Sequence, residues 1–328
     1  MRVLVELSGE HPTLPRAEAL AAFEAEAVTI REARWSTGVL RVDAEGRVLE
    51  AVHRLGLAHV ISEELAEGSF EDVQEAARAM DLGGRTFRVR ARGLGIDVDP
   101  QALEGSLGAA LGRTGTVRLT RPDVDLRLLV GETCVLGRVV HRVGRSALEA
   151  RKVARRTFSL PISLHPKLAR ALVNLSRVPI GGRVLDPFVG TGGVLLEAAR
   201  LGIRAPGGDL RRDMVEGARA SLRALGAEAD LVVADAGRGP WRRSGIEGIA
   251  TDPPYGRAAS TRGEPVPDLY DRAFAAFADV LRPGGHAAVI LPDARAEEIG
   301  GRHLELLERH PMRVHRSLTR TFCVFRRR

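Results

Sequence analysis

The sequence is poor in the residues that build most metal centres and disulfide scaffolds. Its 328 residues include two cysteines, Cys134 and Cys323, set far apart. Neither a disulfide framework nor a cysteine zinc site can be assembled from them. The histidines are scattered, and His165, His286 and His315 show no metal-ligand spacing. Each is expected to be structural, and no metal is expected. No apolar run approaches the roughly 20 residues that cross a bilayer. The start, Met1–Leu7, alternates like a strand and lacks the layout of a signal peptide. A cytoplasmic chain without a membrane partner is therefore expected. Internal repeats and low-complexity tracts are also missing.

What is present is a packable chain with uneven charge. A hydrophobic content of 44% supports a buried core, and the length suggests two or three domains. Residues 1–160 hold 23 basic and 23 acidic side chains, and 161–328 hold 26 and 19. Within the first half, 113–158 carries 11 basic against 4 acidic residues. Clustered arginine in a chain of pI near 10.4 suits a polyanion. Lys152 and Lys167 are the only lysines, so a GC-rich genome would enrich arginine too. Charge alone leaves nucleic-acid binding open.

Short strands alternate with helices over the first 145 residues. The patterning predicts strands at 2–7, 38–42, 58–62, 86–92, 115–119, 124–130 and 133–141, and helices at 15–26, 46–55, 70–80 and 100–112. This is an α+β pattern with one or two small sheets. A connector, 144–165, is expected to hold a helix, Ala147–Arg156, facing solvent or RNA.

From 166 onward, strand and helix alternate with a different signature. Strand Arg183–Leu185 ends at Asp186-Pro187. The turn Gly190-Thr191-Gly192-Gly193 then opens a helix. Further strands end at Asp209, Asp235 and Asp252. This alternation implies an α/β, mostly parallel, doubly wound sheet, with ligands outside the carboxyl strand ends. Helix capping accounts for one or two of the four acids but poorly for all four. The Gly-rich turn is neither Gly-x-Gly-x-x-Gly nor a P-loop. S-adenosylmethionine (SAM) fits better than NAD. Asp186 suits its ammonium, and free N–H groups near Gly192 suit its carboxylate. Asp209 suits its ribose hydroxyls and Asp235 its adenine amine. Phe188, Gly190, Thr191, Gly193 and Ala236 complete the candidate cofactor set.

Asp252-Pro253-Pro254-Tyr255 is the candidate catalytic segment. The exocyclic amine of a base is a poor nucleophile, because its lone pair is delocalised into the ring. A carboxylate accepting one N–H and the Pro253 carbonyl accepting the other would favour pyramidalisation, with two prolines holding that carbonyl rigid. Asp252 can also take the proton, and Tyr255 offers a face on which a base can stack. Adenine N6 and guanine N2 are served equally by this chemistry. A Pro-Pro turn that simply ends a strand is the structural alternative. An inactive RNA-binding protein is a third reading.

These motifs resemble the archaeal THUMP-domain tRNA guanine-N2 methyltransferases that act on guanosine 10. Asp186–Gly193 looks like the family's SAM motif, with Val189 where cysteine is common, and Thr251–Gly256 looks like its catalytic motif. Leu168–Leu175 and Val314–Arg320 are also similar. Thr120–Leu126 carries a weaker likeness to THUMP. Leu210-Arg211 departs from the pattern, since the family usually has a second acid after Asp209. The resemblance implies a ferredoxin-like region over 1–64, a THUMP RNA-binding domain over 65–143, a linker over 144–165, and a Rossmann-like class I methyltransferase domain with a seven-stranded sheet over 166–328. It implies tRNA as partner, N2-methyl- or N2,N2-dimethylguanosine as product, and SAM as methyl donor. Arg121, Arg156 and Arg257 are the candidate RNA contacts.

Overall fold

The computed structural model describes residues 1–151, 163–255, 263–315 and 318–328. In chain order its first elements are β1 (Arg2–Leu7), α1 (Leu14–Ala25), β2 (Thr29–Ser36), β3 (Val39–Glu45), α2 (Val48–His53), β4 (Ala58–Gly68), α3 (Phe70–Ala79), β5 (Thr86–Gly93), α4 (Pro100–Leu111), β6 (Thr116–Val117), β7 (Val124–Val130), β8 (Cys134–Arg142) and α5 (Arg145–Ala150). Then come α6 (Pro166–Leu175), β9 (Val184–Leu185), α7 (Gly193–Arg200), β10 (Gly207–Asp209), α8 (Arg212–Ala224), β11 (Leu231–Val233), β12 (Ile246–Thr251), α9 (Val266–Val280), β13 (Leu281–Leu291), α10 (Ala294–His303), β14 (Glu305–His315) and β15 (Leu318–Arg326). The described chain divides into two compact units.

The first unit, Met1–Glu10, Val28–His53 and Ala58–Val143, is built on one eight-stranded sheet of order β2-β3-β1-β4-β8-β7-β5-β6. The boundary expected at 64/65 falls inside β4, which pairs with β1 and with β8. One sheet therefore runs through both expected subdomains. Helices α3 and α4 bury Val73, Ala77, Leu107 and Leu111 against Phe87, Val89, Leu126 and Leu136. Their starts are written locally. Ser69 and Asp72 form a reciprocal capping box on α3. Asp99 accepts from the N–H groups of Gln101 and Ala102 at the Pro100 start of α4. β2 escaped the sequence reading because it is an exposed edge with charged side chains, so no apolar alternation marks it.

The second unit is His11–Ala27, Arg54–Leu57 and Gly144–Arg328. Helix α1 belongs here, away from its sequence neighbours, because Leu14 and Ala21 share a buried cluster with Ala169 and Leu172 of α6. Each such leucine contributes about 1.5–3 kcal/mol by leaving water. A buried polar network fixes the join. Glu18 accepts from the N–H groups of Gly56 and Leu57 at 2.8 Å each and from Asn174 Nδ2 at 2.8 Å. Arg54 pairs with Glu26 at 2.5 Å with both side chains fully buried.

Five strands of this unit run in the order β14-β15-β13-β12-β9, and β10-β11 form a pair. Parallel bridges Arg183–Arg204 and Asp186–Gly207 join β9 to β10. The result is seven strands, parallel except where β15 runs antiparallel between β13 and β14. This is the doubly wound α/β sheet expected for the region. Helix α10 and strand β14 were not foreseen; β14 carries Pro311 and lies at the sheet edge, where proline is tolerated.

Candidate active site

Four neighbouring strands present an acid at their carboxyl ends. In spatial order these are Asp252 after β12, Asp186 after β9, Asp209 closing β10 and Asp235 beyond β11. The four acids stand far apart in sequence, and the crossovers bring the strand ends expected to carry them into one row.

Asp186 is the most enclosed, at 1% exposure. Its Oδ1 accepts from Thr251 Oγ1 at 2.6 Å and from the Phe188 N–H at 3.1 Å. The first bond ties the strand before Asp252 to the Gly-rich turn. Burial pushes the Asp186 carboxyl up to about 7, against the Thr251 hydrogen bond, and the charges of Asp209 and Asp252 add to the rise.

The turn itself needs glycine at Gly192, which caps α7 at φ +78° with only 3.2 Å between an added Cβ and that of Ala218. Gly190 also sits at positive φ, and its N–H donates to Asp209 Oδ2 at 2.9 Å. Thr191 hydrogen-bonds Ser163 through their hydroxyls at 2.9 Å. Gly193 opens α7, Phe188 is half-buried, and Ala236 is buried. Asp209 Oδ1 accepts from the Arg211 N–H at 3.0 Å. Each oxygen thus keeps a lone pair for a diol. Burial raises the Asp209 carboxyl. The Arg211 departure is offset locally, because Arg211 pairs with Asp213.

Asp235, the candidate acceptor for an adenine amine, already has protein partners. Arg272 of α9 pairs with both its oxygens and also holds Glu264, and the Gly237 N–H donates to Oδ1 at 2.8 Å. The Arg272 hydrogen bond holds its carboxyl below the usual range. Oδ2, with Arg272 Nη2 at 3.1 Å, keeps room for one more donor.

Asp252 is 18% exposed, yet its Oδ1 is buried and has no hydrogen-bond partner among the described residues. Burial pushes its carboxyl up to about 7, and the nearby Arg320 guanidinium opposes that. The Pro254 carbonyl accepts from Tyr270 Oη at 2.9 Å. The chain has two tyrosines, and both meet this segment. Pro253 precedes this anchor, and the half-buried Tyr255 follows it. Arg320 of β15 lies over the Tyr255 ring.

Tyr270, Arg272 and Arg320 were not foreseen as site residues. The scarcity of tyrosine was a signal for Tyr270. For Arg320 the sheet order alone brings it close. Arg121 is exposed in a turn at φ +49° in the first unit. Arg156 and Arg257 lie outside the described residues. Arg151, in the connector helix expected to face solvent or RNA, pairs at 2.7 Å with the fully buried Glu197. Among the described residues no group of three His, Cys, Asp or Glu side chains is placed to hold a metal. Among them, too, no helix is long and apolar enough to cross a membrane.

A family model described as UPF0020, RMKL-like, methyltransferase domain, matches residues 154–322. Along its whole length the chain is 35% identical to the tRNA (guanine(10)-N2)-dimethyltransferase of Methanothermobacter thermautotrophicus, covering all of both chains. The chain belongs to the tRNA (guanine(10)-N2)-dimethyltransferase family. The Pyrococcus abyssi dimethyltransferase is likewise 35% identical over 99% of each chain. The crystal structure of TrmN from Thermus thermophilus matches over 100% of both chains at 28% identity and a TM-score of 0.55. Methyltransferases of this family take the methyl group from SAM, and the chemistry of the row of acids with the Gly-rich turn fits such a ligand: carboxylates that could meet an ammonium and hydroxyls, with no lysine-bearing phosphate loop.

Proposed function

We propose that this protein methylates the exocyclic N2 amine of guanosine 10 in tRNA, giving N2-methyl- and N2,N2-dimethylguanosine. The observation that carries the reading is Asp252 Oδ1, a buried acceptor with no partner among the described residues, at the strand end next to Asp186. A buried acceptor left unmade costs about 1–3 kcal/mol, so its natural occupant is a donor brought by substrate. An amine N–H is such a donor.

In this reading Asp252 accepts one amine N–H and the Pro253 carbonyl the other. The Tyr270 hydroxyl, holding the next carbonyl, keeps the segment from turning. SAM supplies an electrophilic methyl group when bound. Asp186 takes its ammonium, N–H groups at the start of α7 its carboxylate, Asp209 its ribose, and Asp235 Oδ2 its adenine amine. Phe188, Gly190, Thr191, Gly192, Gly193 and Ala236 line that ligand. Rate comes from alignment of amine and methyl in a site already rigid. Asp252 then accepts the proton.

The first unit is assigned to RNA binding, with a THUMP domain in its 65–143 part, and the protein to the cytoplasm, where tRNA is available. Arg121 contacts RNA in this reading, as do Arg156 and Arg257.

The test is incubation with labelled SAM and unmethylated tRNA transcripts, one with guanosine 10 replaced. Label should appear in N2-methylated guanosine and vanish with the replacement alone. Recovery of N6-methyladenine as the sole product would overturn the assignment.

A further inference from the structure

Arg320 reaches Asp252 from across the sheet. Thr321 of β15 lies opposite Leu291, so β15 begins beside the carboxyl end of β13, the strand next to β12. The Arg320 guanidinium carbon lies 4.7 Å from the centroid of the Tyr255 ring. Its Nη1 lies 3.7 Å from Asp252 Oδ2, an ion-pair separation longer than a hydrogen bond. The Asp252 carboxylate is thus divided: Oδ2 meets a cation, and Oδ1 stays buried and unpartnered among the described residues. A flat, delocalised cation suits this place, since it can lie on an aromatic face and still neutralise a neighbour.

We infer that Arg320 is a positioning residue for methyl transfer, holding Tyr255 from one ring face and Asp252 through Oδ2, so that Oδ1 is left for the amine and the other face of Tyr255 for the base. This rests on the function proposed above and names a residue that the motif chemistry does not require. Among the described residues, the groups facing Asp252 are Arg320 from β15, Asp186 beyond β9, Tyr255 in the same segment and Tyr270 from α9. Arg320 is the cation in that set. Asp186 bears the same charge as Asp252 and opposes its ionisation. A carboxylate that accepts an N–H and then a proton must start ionised, and Arg320 provides the favourable charge for that.

The experiment is single-turnover methylation of saturating tRNA, measured from pH 5.5 to 9.5. Arg320→Ala should slow the reaction about fivefold or more at pH 7 through ionisation and recover toward pH 9 only to the level of the lysine variant, because its midpoint moves up by about one unit or more. Guanidinium at low millimolar concentration should restore the rate, whereas urea, neutral and of the same shape, should not. Arg320→Lys should keep the midpoint of the unaltered protein but remain slower, having the charge without the flat stack. Equal loss at every pH in the alanine variant, or equal rescue by urea, would overturn the inference. If the alanine variant does not fold, Arg320→Lys decides alone, and a midpoint displaced upward would overturn it. Failure of the unaltered protein to methylate guanosine 10 would instead overturn the function on which the inference rests.

Discussion

Two carboxyls at this site are held in a costly state, and each makes a different prediction. Asp252 is raised to about 7 by burial. Its ionised form is the competent one, so kcat/KM should rise with pH through about 7 and then level. Asp252→Ala should reduce methylation by about three orders of magnitude or more, while tRNA binding stays within a few-fold in a filter or mobility assay. Persisting activity would remove the role given to that carboxylate. Asp186 is also raised to about 7, from an unfolded value near 3.9. Between these values the folded chain holds more protons than the unfolded one, so stability falls as pH rises through the window. Asp186→Asn keeps an oxygen to accept from Thr251 and Phe188 but never ionises. The ligand-free variant should therefore melt higher than the unaltered protein at pH 8, by up to about 4 kcal/mol of stability, and alike at pH 4. Donor affinity should fall in the same variant. A variant that melts lower at pH 8 would contradict the cause given for the shift.

At the scale of elements, much of the second unit was legible because its signals are local. The strand ending Arg183-Val184-Leu185-Asp186 and the Gly-rich start of α7 lie within ten residues of each other, and β12 stops at Thr251, directly before the Asp252 at which a strand was expected to end. Helix α1 was read correctly as a helix, but its place in the second unit was not legible, since its partners Asn174 and Leu172 lie about 150 residues away in the chain. Tyr270 was missed for a similar reason. It faces inward from α9, where an amphipathic pattern reads only as core. Its hydroxyl nevertheless fixes the Pro254 carbonyl. Tyr270→Phe leaves that carbonyl without its donor, at a cost of about 1–3 kcal/mol. The single-turnover rate should drop while SAM affinity, measured by calorimetry, stays unchanged. If donor affinity falls instead and the rate holds, Tyr270 serves the cofactor rather than the catalytic segment.

At the scale of the whole molecule, the charge excess looks different once ion pairs are placed. Sequence showed arginines clustered over 113–158 but not which of them are already committed. Arg127 pairs with Glu6, Arg138 with Glu63, Arg142 with Asp125 and Arg151 with Glu197. Arg113, Arg118 and Arg121 are exposed around the edge strand β6 and make no ion pair among the described residues. A polyanion gains most from cations that need not abandon a partner. Replacing Arg113, Arg118 and Arg121 together by glutamine should weaken tRNA binding and flatten its dependence on salt, with the slope of log K against log salt falling by about 2–3 for three lost phosphate contacts. The single-turnover rate at saturating tRNA should be unaffected, because none of the three lies in the unit that holds Asp252. Arg127→Gln should behave in the opposite way. It strips the buried Glu6, 2% exposed, of a bidentate partner at 2.6 and 2.7 Å, so the first unit should lose stability while the salt slope stays put. Equal salt slopes in the triple variant and the unaltered protein would mean that tRNA is held elsewhere, and that the exposed arginines at β6 are only a solvated edge.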